Sequence, residues 1–378
     1  MIKVEKIKSY KFSSKYGNNK VFGQPKAVRS LVIVEIKLSN GIRGYGESYQ
    51  SAYVPEIVDF IIKEISENFE KISINSAIKN IKNFRIPFVS QNGVFKSTLS
   101  SIEIALIDAK SKSLGLTFYK YLNKFSLKKK VPTYASGGSV IFNKKHLDKD
   151  LQNIKKNGFV NYKMRIGYLS FKKDIERINF VIKNLKKKSL MIDAIMGTLN
   201  KWKLNEAKKR VKYLNKYKLL WLEEPLPAER MHDYKILKKL SKNPVAIGES
   251  FTNFYEFENI IKNDLCDIVQ PDITQVGIFD AIKIVKLAKK YKKKVALHVW
   301  GSPISLMSNL HFALAYKEVD IIEFPLVSLE FLKKNIDKKI EVKDGFIKLK
   351  KKELGLGIDL RKENLKSFNF KKKSGFKI

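Results

Sequence analysis

The chain has 378 residues and carries 75 basic against 37 acidic side chains, a formal net charge of +38. No apolar stretch reaches the roughly 18 residues that cross a bilayer, and a single cysteine, Cys266, excludes an internal disulfide. The lysines are spread over segments such as IKNLKKKS, LAKKYKKK and LKKNIDKK, with no zinc-finger or RRM signature. They read as a solvated coat, so no specific nucleic-acid partner and no membrane partner is expected.

The length admits one large α/β domain with a smaller one attached. The opening, MIKVEKIKSYKF, alternates apolar and charged residues and lacks the apolar core of a secretory signal. With Cys266 reading as a plain core thiol in LCDIVQPD, the expected location is cytoplasmic.

Residues 1 to 50 predict three strands, IKVEKIKSYKF, SLVIVEIKLS and IRGYGESY, the last two joined by an Asn40-Gly41 hairpin turn. The polar stretch 13–28 between the first two predicts a loop. Residues 55 to 128 read as helices, clearest in STLSSIEIALIDAKSKSLG, with apolar residues three and four apart and a Gly stop. From VPTYAS at 131 the pattern becomes strand then helix, repeated. The strand ends fall at Ser136, Arg165, Asp193, Glu223, Glu249, Asp272, His298 and Glu323. Eight strands favour a closed (β/α) barrel over an open sheet.

Three of those ends are acids, Asp193, Glu223 and Glu249, spaced 30 and 26 residues apart. One strand, one helix and two short loops take about 30 residues. The acids therefore occupy equivalent points of successive units and converge on the C-terminal mouth, where barrels bind ligands. Such crowding calls for a cation or shared protons, and an all-oxygen cluster suits Mg²⁺. Strand two, NYKMRI, sends Lys163 and Arg165 to one side and Met164 to the other. Two cations facing the acids suit a carboxylate substrate, and a lysine so placed is expected to have a lowered pKa fit for proton transfer. Strands six and seven end at Asp272 and His298, where the acid can orient the imidazole as a general acid/base. Of the other histidines, His146 and His232 sit among surface charges and His311 lies on a helix. Glu323, in IIEFP, adds an acid on the last strand.

The stretches GYGES, SSIEIALIDAKSKSLGLTFYKYL, YKMRIG, MIDA, WLEEPL, AIGES, VQPDITQVGIFDA, ALHVWGSP and IIEFP together resemble the enolase superfamily. Within it they resemble the mandelate racemase-like subgroup, over almost the whole chain. The resemblance implies an α/β fold, a (β/α)₇β TIM-like barrel with an N-terminal α+β capping domain. It sets the units at 1–128 (cap), 129–350 (barrel) and 351–378, a tail packing back on the cap. It implies one Mg²⁺ per subunit on Asp193, Glu223 and Glu249, with Glu224 behind them, and a homo-oligomer. Lys163 would neutralise a small-molecule carboxylate substrate, Asp272 and His298 would form the base dyad, and Glu323 would hydrogen-bond the carboxylate or enolate. The reaction implied is removal of the proton α to a carboxylate through a metal-stabilised enediolate.

Two departures stand out. The subgroup's second strand-two lysine, a base for the opposite face, is Arg165, which stays protonated. Gly277-Ile278 replaces a pair of glycines, a local packing change. One-face chemistry points to an acid-sugar dehydratase acting on an aldonate or aldarate. The alternative is a cycloisomerase, racemase or epimerase of a related carboxylate or sugar lactone, and a basic nucleic-acid-binding protein is a remote third. Substrate choice is expected to lie with loops 13–28 and 48–56, where Tyr16, Tyr49 and Tyr53 are the candidates.

Overall fold

The computed structural model describes residues 1–15, 28–185, 189–326, 339–360 and 369–376. Three antiparallel strands come first: β1 (Val4–Lys15), β2 (Val28–Leu38) and β3 (Arg43–Glu47), in that order across the sheet. The run SLVIVEI in β2 is continuous in hydrophobicity because both faces are covered. Val32, Val34 and Ile36 join the core formed with helices Pro55–Ile65, Ile74–Asn83 and Gly93–Ser113, whereas Leu31 and Ile33 join the core shared with the barrel. Helix Gly93–Ser113 lies so close to β3 that a Cβ at Gly44 or Gly46 would strike the carbonyls of Ala105 and Ser101. The two glycines of GYGES thus serve contact between helix and sheet.

The second unit is a closed barrel of eight parallel strands. They are β4 (Val131–Gly137), β5 (Asn161–Arg165), β6 (Ser189–Asp193), β7 (Leu222–Glu223), β8 (Val245–Ile247), β9 (Ile268–Val269), β10 (Lys294–Leu297) and β11 (Ile321–Pro325). The last pairs with the first, Ile322 opposite Thr133, which closes the ring. Amphipathic helices such as Lys144–Lys156 and Ile278–Lys290 cover the outside. Tyr134, Met191, Ala246, Ile268 and Ala296, from five of the eight strands, form a separate apolar cluster with Trp221, which immediately precedes β7. That packing fills the interior and confines chemistry to the strands' C-terminal mouth. Among the described residues no helix is long and apolar enough to cross a membrane.

One element escapes the sequence reading. Residues 340–349 form a hairpin, β12 (Ile340–Lys343) and β13 (Phe346–Leu349), and β13 pairs antiparallel with the start of β4. Its signal is the dipeptide Asp344-Gly345, with φ of 51° and 77° at the two positions, the geometry of a two-residue hairpin turn. Described parts of the tail meet the first unit: Leu356 N donates to Asp108 Oδ1 (2.7 Å) and Lys371 N to Ser13 Oγ (2.9 Å).

Candidate active site

Register places the first two acids side by side, Asp193 opposite Glu223. Glu249 follows two residues after β8, and the three residues each offer one oxygen within 4.8 Å of the others. Glu223 is the most tied. Its Oε1 takes a hydrogen bond from Lys163 Nζ at 2.5 Å, and its Oε2 accepts from Trp221 Nε1 (2.8 Å) and Gln270 Nε2 (2.7 Å). Asp193 Oδ1 accepts from Ile195 N at 2.8 Å, while its buried Oδ2 accepts no hydrogen bond and faces Arg165 Nε at 3.4 Å. The backbone turns sharply after both acids, with φ of 45° at Ile195 and 39° at Glu224. Left-handed backbone at non-glycine residues is strained and clusters at functional sites. Here the turn separates the Glu pair: Glu224 receives Ser250 Oγ at 3.4 Å, and Glu223 faces the mouth.

The electrostatics ask for a cation. Burial, then the charge of Glu223, pushes Asp193 up to about 7, and burial, then Asp193, pushes Glu224 up to about 8. Burial, then Glu224, raises Glu249 well above its ordinary value. A buried, unsatisfied carboxylate oxygen beside two more acids is a hard oxygen donor set, and it fits Mg²⁺.

Lys163 and Arg165 both reach this cluster, while Met164 is buried in the outer core. Lys163 corrects one expectation. Burial alone would lower its pKa, but Glu223 and Glu323, the latter at 3.0 Å, override burial and hold it well above the ordinary lysine value. Arg165 donates to Ser136 Oγ (3.1 Å) and Gly137 O (3.0 Å), and its guanidinium lies 4.3 Å over the Trp300 ring.

Opposite stands the imidazole. His298 Nδ1 is 3.0 Å from Asp272 Oδ2, and Nε2 points toward Glu249 Oε2 (3.4 Å) and Glu323 Oε2 (3.7 Å). Burial would lower its pKa, but Glu249, Glu323 and Asp272 bring it up to about 9. Glu323 moves the other way: burial would raise it, and Lys163, His298 and Arg165 bring it down to about 2. Tyr49 packs edge-on against His298, ring centroids 5.3 Å apart, and its hydroxyl lies 2.7 Å from that of Tyr53. Tyr16 lies outside the described residues, as does most of loop 13–28.

Residues 146–364 match the enolase C-terminal domain-like family, and residues 24–122 match the mandelate racemase / muconate lactonizing enzyme N-terminal domain. The chain belongs to the mandelate racemase / muconate lactonizing enzyme family of the enolase superfamily. The L-talarate/galactarate dehydratase of Salmonella typhimurium is 28% identical over 347 residues, spanning 88% of this chain and 81% of its own. A solved L-talarate/galactarate dehydratase variant liganded with Mg and L-glucarate superposes with a TM-score of 0.82 at 26% identity, covering 97% of this chain and 92% of that one. The 3,6-anhydro-D-galactonate cycloisomerase of Zobellia galactanivorans superposes with a TM-score of 0.84 at 25% identity, covering 97% and 99%.

Within this family frame, several neighbours of the site went unread in the sequence. Gln270 and Trp221 hold Glu223, Asn309 and Thr274 hold Asp272 (3.0 and 2.7 Å), and Trp300 covers Arg165. Asn309 lies in a helix, Pro303–Ala315, buried along its entire length, so no periodicity marks it. Gln270 was visible only as a polar residue interrupting the apolar run before Asp272. Of the other histidines, His146 and His232 are exposed, and His311 is buried and accepts from Tyr119 N.

Proposed function

We propose that the protein is a Mg²⁺-dependent acid-sugar dehydratase that converts an aldonate or aldarate to a 2-keto-3-deoxy acid. The observation that supports this reading most is the asymmetry across the mouth. An Asp272-oriented imidazole stands on one side, and a guanidinium held by Ser136, Gly137 and Trp300 stands on the other. Asp193, Glu223 and Glu249 would hold the metal, which when bound supplies positive charge that stabilises the enediolate of the substrate.

The chain's own groups do the rest. Lys163 neutralises the substrate carboxylate, and Glu323 hydrogen-bonds it or the enolate after taking up a proton, which the arriving substrate anion favours. His298 Nε2, the nitrogen not committed to Asp272, takes the α-proton. With Glu249 committed to a cation, the imidazole loses the anion that most favours its protonated form, and the ring becomes available as a base. The protonated ring then gives its proton to the departing 3-hydroxyl, water leaves, and the enol tautomerises to the ketone. Arg165 holds no removable proton at neutral pH, so abstraction is confined to one face. Tyr49 and Tyr53 contact distal hydroxyls of the substrate.

The same reading takes in a homo-oligomer in the cytoplasm, consistent with the single buried thiol of Cys266, and boundaries between cap, barrel and tail near residues 128 and 350. Cycloisomerisation is the second reading, favoured by the likeness to the Zobellia cycloisomerase and sharing the first half-reaction. Proton NMR in D₂O with Mg²⁺ and pooled aldonates and aldarates separates them. Loss of an α-proton signal with a new, monodeuterated C3 methylene supports the dehydratase, and α-proton exchange without loss of water rejects it.

A further inference from the structure

The segment that carries the base is gripped by the cap. His298 begins a five-residue stretch, HVWGS, that ends at Ser302, the N-cap of helix Pro303–Ala315. The barrel holds its start: His298 N donates to Pro271 O (3.2 Å) and Val299 N to Glu323 Oε2 (3.0 Å). The cap holds the rest. Arg29 of β2, 2% exposed, donates through Nη2 to Trp300 O at 2.6 Å. Glu47, the last residue of β3 and 1% exposed, accepts Ser302 N with both oxygens (3.1 and 3.2 Å) and also accepts Ser302 Oγ. Two residues further on, Tyr49 lays its ring against the imidazole.

We infer that Glu47 is a positioning residue of the proposed reaction, holding the His298–Ser302 segment from the cap so that the imidazole keeps its place beside Asp272. The inference rests on His298 being the base. A carboxylate is an expensive group to bury here: burial pushes Glu47 up to about 7 despite the hydrogen bonds from Ser302. Its burial is matched to a partner chosen for geometry. Ser302 Oγ is already engaged by Ile304 N (2.9 Å) as a helix cap, so Glu47 fixes both the end of the loop and the start of the helix. A loop of three residues between two anchored ends has little freedom, so a shift of the Ser302 end is passed through Trp300 and Val299 to His298. Trp300, in the middle, also covers Arg165, so the same segment orients groups on both sides of the mouth.

The test compares wild type, E47A, E47Q and H298N as Mg²⁺-loaded full-length proteins. The measurements are kcat and KM on a turned-over acid sugar, Mg²⁺ affinity by calorimetry, and the His298 Cε1–H NMR signal without substrate. E47A is expected to lose about 10- to 100-fold in kcat, the scale of a small misplacement of a catalytic group. Its KM and Mg²⁺ Kd stay within about twofold, since binding contacts are untouched, and the His298 signal shifts or broadens. E47Q, which keeps one oxygen for Ser302, is expected to recover most of the rate and, if E47A does not fold, carries the test with a smaller loss of the same kind. Wild-type kcat in E47A overturns the inference, as does a loss that appears in KM or Mg²⁺ affinity with an unmoved His298 signal. An inactive H298N beside a fully active E47A sinks the positioning role alone; an active H298N removes the base assignment and the positioning role with it.

Discussion

Asp272 and His298 stand at neighbouring strand ends with Oδ2 of the acid 3.0 Å from Nδ1 of the ring, while Oδ1 accepts from Thr274 N, Thr274 Oγ1 and Asn309 Nδ2. Four contacts on one carboxylate fix its plane, and the plane fixes the tautomer that leaves Nε2 facing the mouth. His298→Asn is therefore expected to reduce turnover by about 10²- to 10⁴-fold, the usual worth of a general acid/base, with Mg²⁺ binding intact. Stopped assays and calorimetry on the same preparation check this; retained turnover removes the dyad from the mechanism.

Metal affinity is expected to depend on residues beyond the three acids. Gln270 orients Glu223 through a 2.7 Å hydrogen bond. Its replacement by Leu should weaken Mg²⁺ binding by about 10- to 100-fold, the typical loss when a ligand's own partner is removed. Glu249→Gln should weaken it further, and EDTA should abolish turnover reversibly. An unchanged Mg²⁺ titration in Glu249→Gln would undo the ligand assignment.

Lys163 is a buried cation serving two buried acids, Glu223 and Glu323. Lys163→Ala leaves those charges uncompensated, and breaking a buried pair from one side typically destabilises by about 3–5 kcal/mol. Urea unfolding in EDTA measures the loss directly. A difference below about 1 kcal/mol, the range of an exposed pair, shows that the acids find other partners.

Arg165 tests the one-face argument. Arg165→Lys places a group that can lose its proton where the guanidinium stood, beside Asp193 and under Trp300. The variant is expected to exchange the α-proton of the epimer that wild type leaves untouched in D₂O. If neither protein exchanges that epimer, the strand-two side of the mouth does not face the α-carbon.

His311 predicts acid sensitivity away from the metal site. It is buried against the rings of Phe118 and Tyr119, and burial lowers its pKa to about 3. The folded state keeps the ring neutral while the unfolded chain takes a proton below about 6.5, so this contribution is present above that pH and is lost as pH falls toward 3. The slope is about 1.4 kcal/mol per pH unit, or about 2 kcal/mol between pH 6.5 and 5. Unfolding curves at both pH values for wild type and His311→Asn give the comparison, and an equal pH dependence in the two excludes His311 as the source.

What could be read without coordinates was whatever repeats. Apolar runs such as LLWL, helices between them and acids at recurring strand ends follow from periods of 2.0 and 3.6 residues and from the length of a βα unit. The sequence alone was therefore enough to place Asp193, Glu223, Glu249, Lys163, Arg165, Asp272, His298 and Glu323 around one mouth. The hairpin 340–349 also carries a local signal, the dipeptide Asp344-Gly345. Other features had no local signature at all. Lys163 is held protonated, against expectation, because Glu223 and Glu323 come from strands far along the chain. Glu47 holds Ser302, a helix N-cap 255 residues away, Asn309 reaches Asp272 across 37, and Trp300 stacks on Arg165 across the mouth. Periodicity tells a chain which side of each strand faces inward; which charges and hydrogen-bonding groups then meet, and so how each group titrates, depends on distances that only the closed barrel and its docked cap create.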